Sequence, residues 1–391
     1  MKKSVILIVV TIFIVILIGG FFIYNKFIKE EVLNLNLDID VYSDKTLFDY
    51  KENFDCELKN DEKINTENVG SVEVITHCKN SQNKRLKYVV NFNVVDLVPP
   101  KIFLKNSYTV TEGYEKKLTD VIISADNYDN FIKREIIGEY DFNTVGSYNL
   151  TYKATDNSGN ATTQDFVLNV VKKSKNTATP NNSYIAFSDA LKNFKTDNTS
   201  VGIDVSKWQG DIDFKKVRES GAEFVMIRIG YQDGFDGDYI MDPYFKQNME
   251  KAKENNLKIG IYFYSYSNSI EESEKQAEWV INNLKNYEID LPVVYDWEVW
   301  SSFNSINASL HKFNLMAETF LKKIEDAGYK SMLYSSKNYL ENIWELQNYK
   351  TWLAHYTNKT NYNGNYYMWQ MCSDGKIDGI NGYVDIDILY K

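Results

Sequence analysis

Residues 291–298 read Leu-Pro-Val-Val-Tyr-Asp-Trp-Glu. An apolar run of this length, opened by proline and closed by two acids, reads as a strand buried on both faces, as strands of parallel sheets are. In extended chain Asp296 and Glu298 point the same way, with Cα atoms about 6.6 Å apart. Similar short apolar stretches lie at 201–205, 224–229, 259–264, 331–334, 352–355, 366–371 and 384–389. Between the first six run segments of helical period, among them 242–255, 270–286 and 310–327. Strand and helix in alternation predict parallel strands in an α/β barrel or doubly wound sheet. The last strands leave no room for helices between them, so the closing part departs from a regular eight-fold repeat.

In such barrels chemistry gathers at the carboxyl ends of the strands. Asp204 ends the first strand in Gly-Ile-Asp-Val, Asp296 and Glu298 end the fourth, and Asp385 and Asp387 alternate in the last. Acids brought together there raise at least one pKa, as a general acid working near neutrality requires. A carboxyl pair flanking a scissile bond is the machinery of glycoside hydrolysis. D-x-E is a cheap pattern in an acidic chain, and a solvated strand end is its other reading; its place after an unbroken apolar strand favours chemistry. His311 and His355 read as structural, and Cys372 as a small buried residue.

The 391 residues carry 54 acidic and 44 basic side chains, a net charge of −10, the reverse of a nucleic-acid binder's electrostatic footprint. Three cysteines and three histidines show no zinc-site spacing, and glycoside hydrolysis by paired carboxyls requires neither a metal nor an organic cofactor. The excess is aromatic, with 29 Tyr, 21 Phe and 7 Trp, a composition suited to handling carbohydrate.

Residues 4–24 form an uncharged apolar run between Lys2-Lys3 and Lys26-Lys29, long enough for a bilayer core of roughly 30 Å. No small-residue cleavage site follows. The expectation is a single-pass signal anchor in a bacterial cell membrane, with the remaining chain on the extracellular, cell-wall side. Residues 31–171 show alternating stretches separated by polar turns and read as all-β. Val69-Gly70-Ser71 through Asn93-Val94-Val95 recurs as Val145-Gly146-Ser147 through Asn169-Val170-Val171, which predicts two tandem modules. The second resembles the immunoglobulin-like repeats of bacterial surface proteins, and both are expected to be β-sandwiches. Cys56 and Cys78 lie in the first module, either as a disulfide favoured by an exported compartment or as two buried thiols. Asp156-Asn157-Ser158-Gly159-Asn160 reads as a hairpin turn rather than a calcium loop. The expected boundaries are 1–30 for the cytoplasmic stub and anchor, 31–97 and 98–172 for the modules, 173–200 for a linker and 201–391 for the catalytic domain.

The segments GIDVSKWQGDIDF at 202–214, FVMIRIG at 224–230, IGIYFY at 259–264, VVYDWE at 293–298, TWLAHY at 351–356, and MWQM with GINGYVDID within 368–387 resemble the glycoside hydrolase family 25 lysozymes. The resemblance implies a flattened TIM-like barrel of about five βα units plus closing strands. It implies an N-acetylmuramidase that cleaves the β-1,4 bond between N-acetylmuramic acid and N-acetylglucosamine in peptidoglycan. By the same resemblance Glu298 is the general acid, and Asp296 assists the substrate's N-acetyl group or stabilises the transition state. Asp204 and Asp385 tune protonation and position substrate, and a retaining, substrate-assisted route is favoured. Arg228, Tyr262, Tyr334, Trp352 and Tyr356 correspond to the sugar-binding wall, with barrel packing as their other reading. The expected whole is a membrane-anchored peptidoglycan hydrolase for local wall remodelling. Its rivals are a non-catalytic peptidoglycan receptor and a surface protein that recruits partners through the β modules.

Overall fold

The computed structural model describes residues 13–21, 23–24, 30–173 and 184–391. They divide into two compact units, Met1–Val98 and Pro99–Lys391. Among the described residues no helix is long and apolar enough to cross a membrane. The transmembrane helix expected over 4–24 is therefore not found among the described residues; residues 4–12 and 22 of that run lie outside them.

The β modules are not immunoglobulin-like sandwiches either. Module 1 is one three-stranded sheet of β1 (Glu31–Asp40), β2 (Gly70–Lys79) and β3 (Arg85–Val95), with β3 central and β1 parallel to it. Alternation buries Leu86, Tyr88, Val90, Phe92 and Val94 on one face. A second sheet does not cover that face, because residues 41–69 form a 3₁₀ helix, Leu47–Asn53, and irregular chain. Leu47, Phe54 and Ile64 from this segment are buried instead. Cys56 and Cys78 are joined by a disulfide with Cα atoms 6.1 Å apart.

Module 2 begins with β4 (Lys101–Ile102) and β6 (Ser124–Ala125), a two-stranded ribbon. Its main sheet has the order β5 (Ser107–Thr111), β9 (Ala161–Val171), β8 (Gly146–Thr155), β7 (Lys133–Ile137). The hairpin β2–β3 recurs as β8–β9: Gly70 and Gly146 open equivalent strands and Val95 and Val171 close them, 76 residues apart in each case. A two-residue ribbon is too short to form the opposing layer of a sandwich.

The linker expected over 173–200 ends early. Ile185–Ala186, here β10, pairs with a barrel strand, and the helix Phe187–Phe194 buries Phe187 and Ala190 in the barrel's outer core; residues 174–183 lie outside the described set.

Eight strands close the barrel: β11 (Thr199–Val205), β12 (Phe224–Gln232), β14 (Lys258–Ser265), β15 (Val293–Trp297), β16 (Ser331–Ser336), β17 (Lys350–Ala354), β18 (Met368–Lys376) and β19 (Val384–Tyr390). A short β13 (Tyr239–Met241) hangs on β12. Neighbours are parallel except β19, which runs antiparallel to both β18 and β11 and seals the ring. Helices Phe214–Glu219, Phe245–Glu254, Ile270–Leu284, Leu310–Asp326 and Lys337–Asn342 follow the first five barrel strands. Period-two alternation sends Phe224, Met226, Val294, Met332 and Met368 inward to fill the floor, while Val225, Ile261, Val293 and Tyr295 face the helices. Gly202 permits the floor to pack: a Cβ there would lie 2.5 Å from the Phe224 carbonyl oxygen and 2.6 Å from its ring.

Module 2 packs directly on the barrel. Ile123 and Ala125 join the apolar core outside the strands. Asn304, on the 3₁₀ helix Trp300–Ile306 just after Glu298, donates from Nδ2 to the carbonyls of Ile122 at 2.8 Å and Thr119 at 3.0 Å. Its Oδ1 accepts the Ser124 N–H at 3.2 Å.

Candidate active site

The inward alternation that fills the floor with apolar side chains continues at the carboxyl end of the strands with polar ones. One cleft is lined by Asp204, Arg228, Tyr262, Asp296, Glu298, Tyr334, Trp352, Tyr356 and Asp385, so it gathers every residue expected from sequence. Strand β15 holds the central pair in place from behind. The outward-facing Tyr295 hydroxyl lies 2.6 Å from Ser267 Oγ, and the Trp297 Nε1–H donates to the Ser267 carbonyl at 3.0 Å. Trp297 also packs edge-to-face on Trp300 and Phe313, each with centroids 4.9 Å away. Asp296 pairs in register with Tyr334 on one side and Tyr264 on the other.

Few cations balance these acids. Arg228 is the cation among the lining residues, and its Nε and Nη2 donate to Asp242 Oδ2 at 2.9 and 2.7 Å. Asp242 also accepts the Lys207 N–H at 2.9 Å, so it fixes both Arg228 and the turn after β11. Arg228 thus enters the cleft with two donors already engaged.

The electrostatic consequence is a set of carboxyls that cannot all ionise. Burial first, then the charge of Glu298, lifts Asp296 well above the usual carboxylate range, with Arg228 opposing. Burial and the charges of Asp385 and Asp387 do the same to Asp204, with the Gln370 hydrogen bond opposing. Asp385 rises to about 6, through burial offset by a backbone hydrogen bond. Glu298 opens to solvent at the mouth of the cleft. Its carboxyl is nevertheless walled closely enough that desolvation, with Asp385 second, lifts it to about 7. A carboxyl that is half protonated near neutrality is what a general acid requires.

The remaining residues divide by exposure. Tyr262, Tyr334 and Trp352 are buried, with Trp352 edge-on to both tyrosines. Trp352 donates from Nε1 to Asp387 Oδ1 at 2.8 Å, so it shapes the floor rather than presenting a stacking face. Tyr356 is 56 % exposed at the rim.

Sequence reading assigned no role to Ser206, Trp208, Gln209 or Gln370, which line the cleft together with Tyr264. Trp208 is 77 % exposed with Lys207 Nζ 5.2 Å from its ring centroid, a free aromatic face beside the acids. The Ser-Lys-Trp-Gln-Gly run immediately after a strand-ending acid was its signal. Gln370 shares strand phase with the inward Met368, which was a weaker one. Asp387 lies fully buried beneath the cleft, which separates the alternating pair into a lining acid, Asp385, and a floor acid.

The profile of "Glycosyl hydrolases family 25" matches residues 203–380, which hold every lining residue of this cleft except Asp385. Over 196 residues the chain is 31% identical to the uncharacterised protein YegX of Escherichia coli K12, covering 49% of this chain and 70% of that one. The chain belongs to glycosyl hydrolase family 25. This family 25 chain is also 30% identical over 191 residues to the autolytic lysozyme of Clostridium acetobutylicum, covering 48% of this chain and 54% of that protein. Among solved structures it is similar to the modular autolysin LytC from Streptococcus pneumoniae, at 21% identity and a TM-score of 0.46, covering 61% and 56% of the two chains. The alignments with the autolytic lysozyme and LytC thus span little more than half of those proteins.

Proposed function

We propose that this family 25 protein is a lysozyme that hydrolyses the β-1,4 bond between N-acetylmuramic acid and N-acetylglucosamine in peptidoglycan. The observation that carries the reading is the gathering of Asp204, Asp296, Glu298 and Asp385 at one end of the barrel, with Glu298 raised to about 7. Glu298 gives its proton to the glycosidic oxygen as that bond breaks. The N-acetyl carbonyl oxygen of the muramic acid bonds to the anomeric carbon, and Asp296 steadies the amide N–H as charge develops. Water then attacks the anomeric carbon, giving its proton back to Glu298, and the product retains its configuration. Asp296 Oδ1 is buried and has no hydrogen-bond partner among the described residues, which suits an acceptor kept for substrate. Burial first and the Asp385 charge second keep Glu298 protonated, Asp204 lies beside them in the cleft, and Trp208 and Tyr356 offer faces for pyranose rings.

We place the catalytic unit on the wall side of the cell membrane, a reading supported by the Cys56–Cys78 disulfide, since such bonds persist in oxidising compartments. Local wall remodelling is the use we propose, supported by two β modules carried on the same chain as one catalytic cleft.

The test is purified full chain, wild type beside Glu298→Gln, incubated with peptidoglycan. Released fragments are reduced with borohydride and read by mass spectrometry. New reducing-end muramic acid from wild type alone is expected. Binding without cleavage by the folded wild type would replace the proposal with a glycan receptor.

A further inference from the structure

Module 2 carries a second cluster of acids, on the loop after β6 and the turn between β8 and β9. Asp126 is fully buried, and its Oδ1 accepts the N–H groups of Tyr128 at 2.8 Å and Asp129 at 2.7 Å. Its Oδ2 is buried and has no hydrogen-bond partner among the described residues, and the same holds for Asn127 Oδ1. Asp156, 7 % exposed, faces it, with carboxylate oxygens of the two residues within 4.8 Å of one another. Asn160 fixes the Asp156 carboxylate through its backbone N–H at 2.8 Å and its Nδ2 at 2.9 Å. The charges bearing on Asp126 are those of Asp156 and Asp129, both negative. Two buried carboxylates at this distance, one with an oxygen left unpaired, make a strongly unfavourable arrangement unless a cation or a shared proton lies between them.

We infer that Asp126 and Asp156 bind a divalent cation, and that the cation is calcium. The donors are carboxylate oxygens, with neither thiol nor imidazole among them, which selects a hard ion; water completes the shell. The inference does not depend on the hydrolase reading. It has a mechanical consequence, because the same loop seats the helix Leu310–Asp326, which follows the acid-bearing strand β15. The Asp126 carbonyl accepts the Leu310 N–H at 2.7 Å, and Asn130 Oδ1 accepts the Ser309 N–H at 3.0 Å. A bound ion holds that loop against the helix and so braces module 2 on the barrel.

The experiment uses chelator-treated full chain titrated with calcium chloride, followed by calorimetry and thermal unfolding at pH 7.5. Wild type is expected to bind one ion with a Kd between roughly 10⁻⁶ and 10⁻³ M, and its Tm to rise by about 2–8 °C at saturation. Asp126→Asn and Asp156→Asn should each weaken binding by at least about tenfold, the loss of one charged ligand, and abolish the thermal shift. If Asp126→Asn fails to fold, as judged by circular dichroism, Asp156→Asn at the turn decides. Neither heat nor thermal shift in wild type at about 10 mM calcium, above the weakest sites of extracellular modules, would overturn the inference. So would undiminished binding by both variants.

Discussion

Gln370 Nε2 donates to Asp204 Oδ2 at 2.8 Å, while its Oε1 accepts from the hydroxyls of Tyr334 at 2.8 Å and Tyr356 at 3.1 Å. One amide therefore favours the ionised form of a buried acid and aims two tyrosines that line the cleft.

Replacing Gln370 by alanine removes this donor and orphans Asp204 in the floor. A buried polar group losing such a partner costs about 1–3 kcal/mol, so kcat/KM should fall roughly 10- to 100-fold. Gln370→Glu keeps the shape but sets another carboxyl beside Asp204. It should lose activity at neutral pH and recover part of it as pH falls and the added acid protonates. A pH–rate profile of the two variants separates an electrostatic role from simple packing, since packing loss would lower activity equally at every pH.

In the role proposed for it Glu298 must carry its proton to work, and burial and the Asp385 charge raise its pKa to about 7. Activity should be lost as pH rises through that value, kcat/KM falling about tenfold per unit above it. Removing the Asp385 charge lowers the Glu298 pKa, since Asp385 is one of the two causes raising it. Asp385→Asn should therefore move the alkaline limb to lower pH. Glu298→Gln should cost about 10²–10⁴ in kcat at every pH. An alkaline limb that stays in place in Asp385→Asn would disprove the coupling.

The barrel and its acids were legible because their signals are local. Val293 and Val294 before Asp296 declare a buried strand, and the strand-end position places the acid in the cleft. What covers a sheet is not local. The alternation at 85–95 announces one buried face but is silent on whether a second sheet or a segment such as Leu47–Asn53 lies over it, and reading it as half a sandwich supplied the wrong cover. Asn304 is a polar residue in an unremarkable Asn-Ser-Ile stretch, and its partners lie about 180 residues earlier. No periodicity carries a contact of that kind. Gln370 stood in plain view in the right strand phase, but an amide has no pKa or stacking face to mark it as part of a site.

Asp387 is fully buried, and burial together with the Asp385 charge raises its pKa well above the ordinary value. A carboxyl whose folded pKa is raised stabilises the fold fully below its unfolded pKa, near 4, and loses that contribution as pH rises through the folded value. Asp387→Asn keeps an oxygen to accept the Trp352 Nε1–H and removes the ionisation. The variant should be more stable than wild type at pH 8, by about 1 kcal/mol, with the difference shrinking toward pH 5. Calorimetry at the two pH values checks the sign, and a variant less stable at pH 8 would show that the Asp387 charge itself holds the floor together.

Asn304 spends its whole side chain on module 2, donating to the carbonyls of Ile122 and Thr119 and accepting from Ser124 N–H. It stands on the 3₁₀ helix Trp300–Ile306, directly after Glu298. Truncation to alanine leaves buried carbonyls without their donor, at about 1–3 kcal/mol, and loosens the segment that follows Glu298 in the chain. Tm should fall by roughly 2–8 °C, and kcat should fall while KM for soluble glycan fragments changes little, because the acid is displaced and the aromatic rim is not. The same contact predicts that a chain cut within 174–183 to remove module 2 will be less stable and less active than the full chain, since Ile123 and Ala125 would leave an apolar patch on the barrel exposed. Equal stability and equal kcat in the cut and intact chains would reduce module 2 to a passenger on the enzyme.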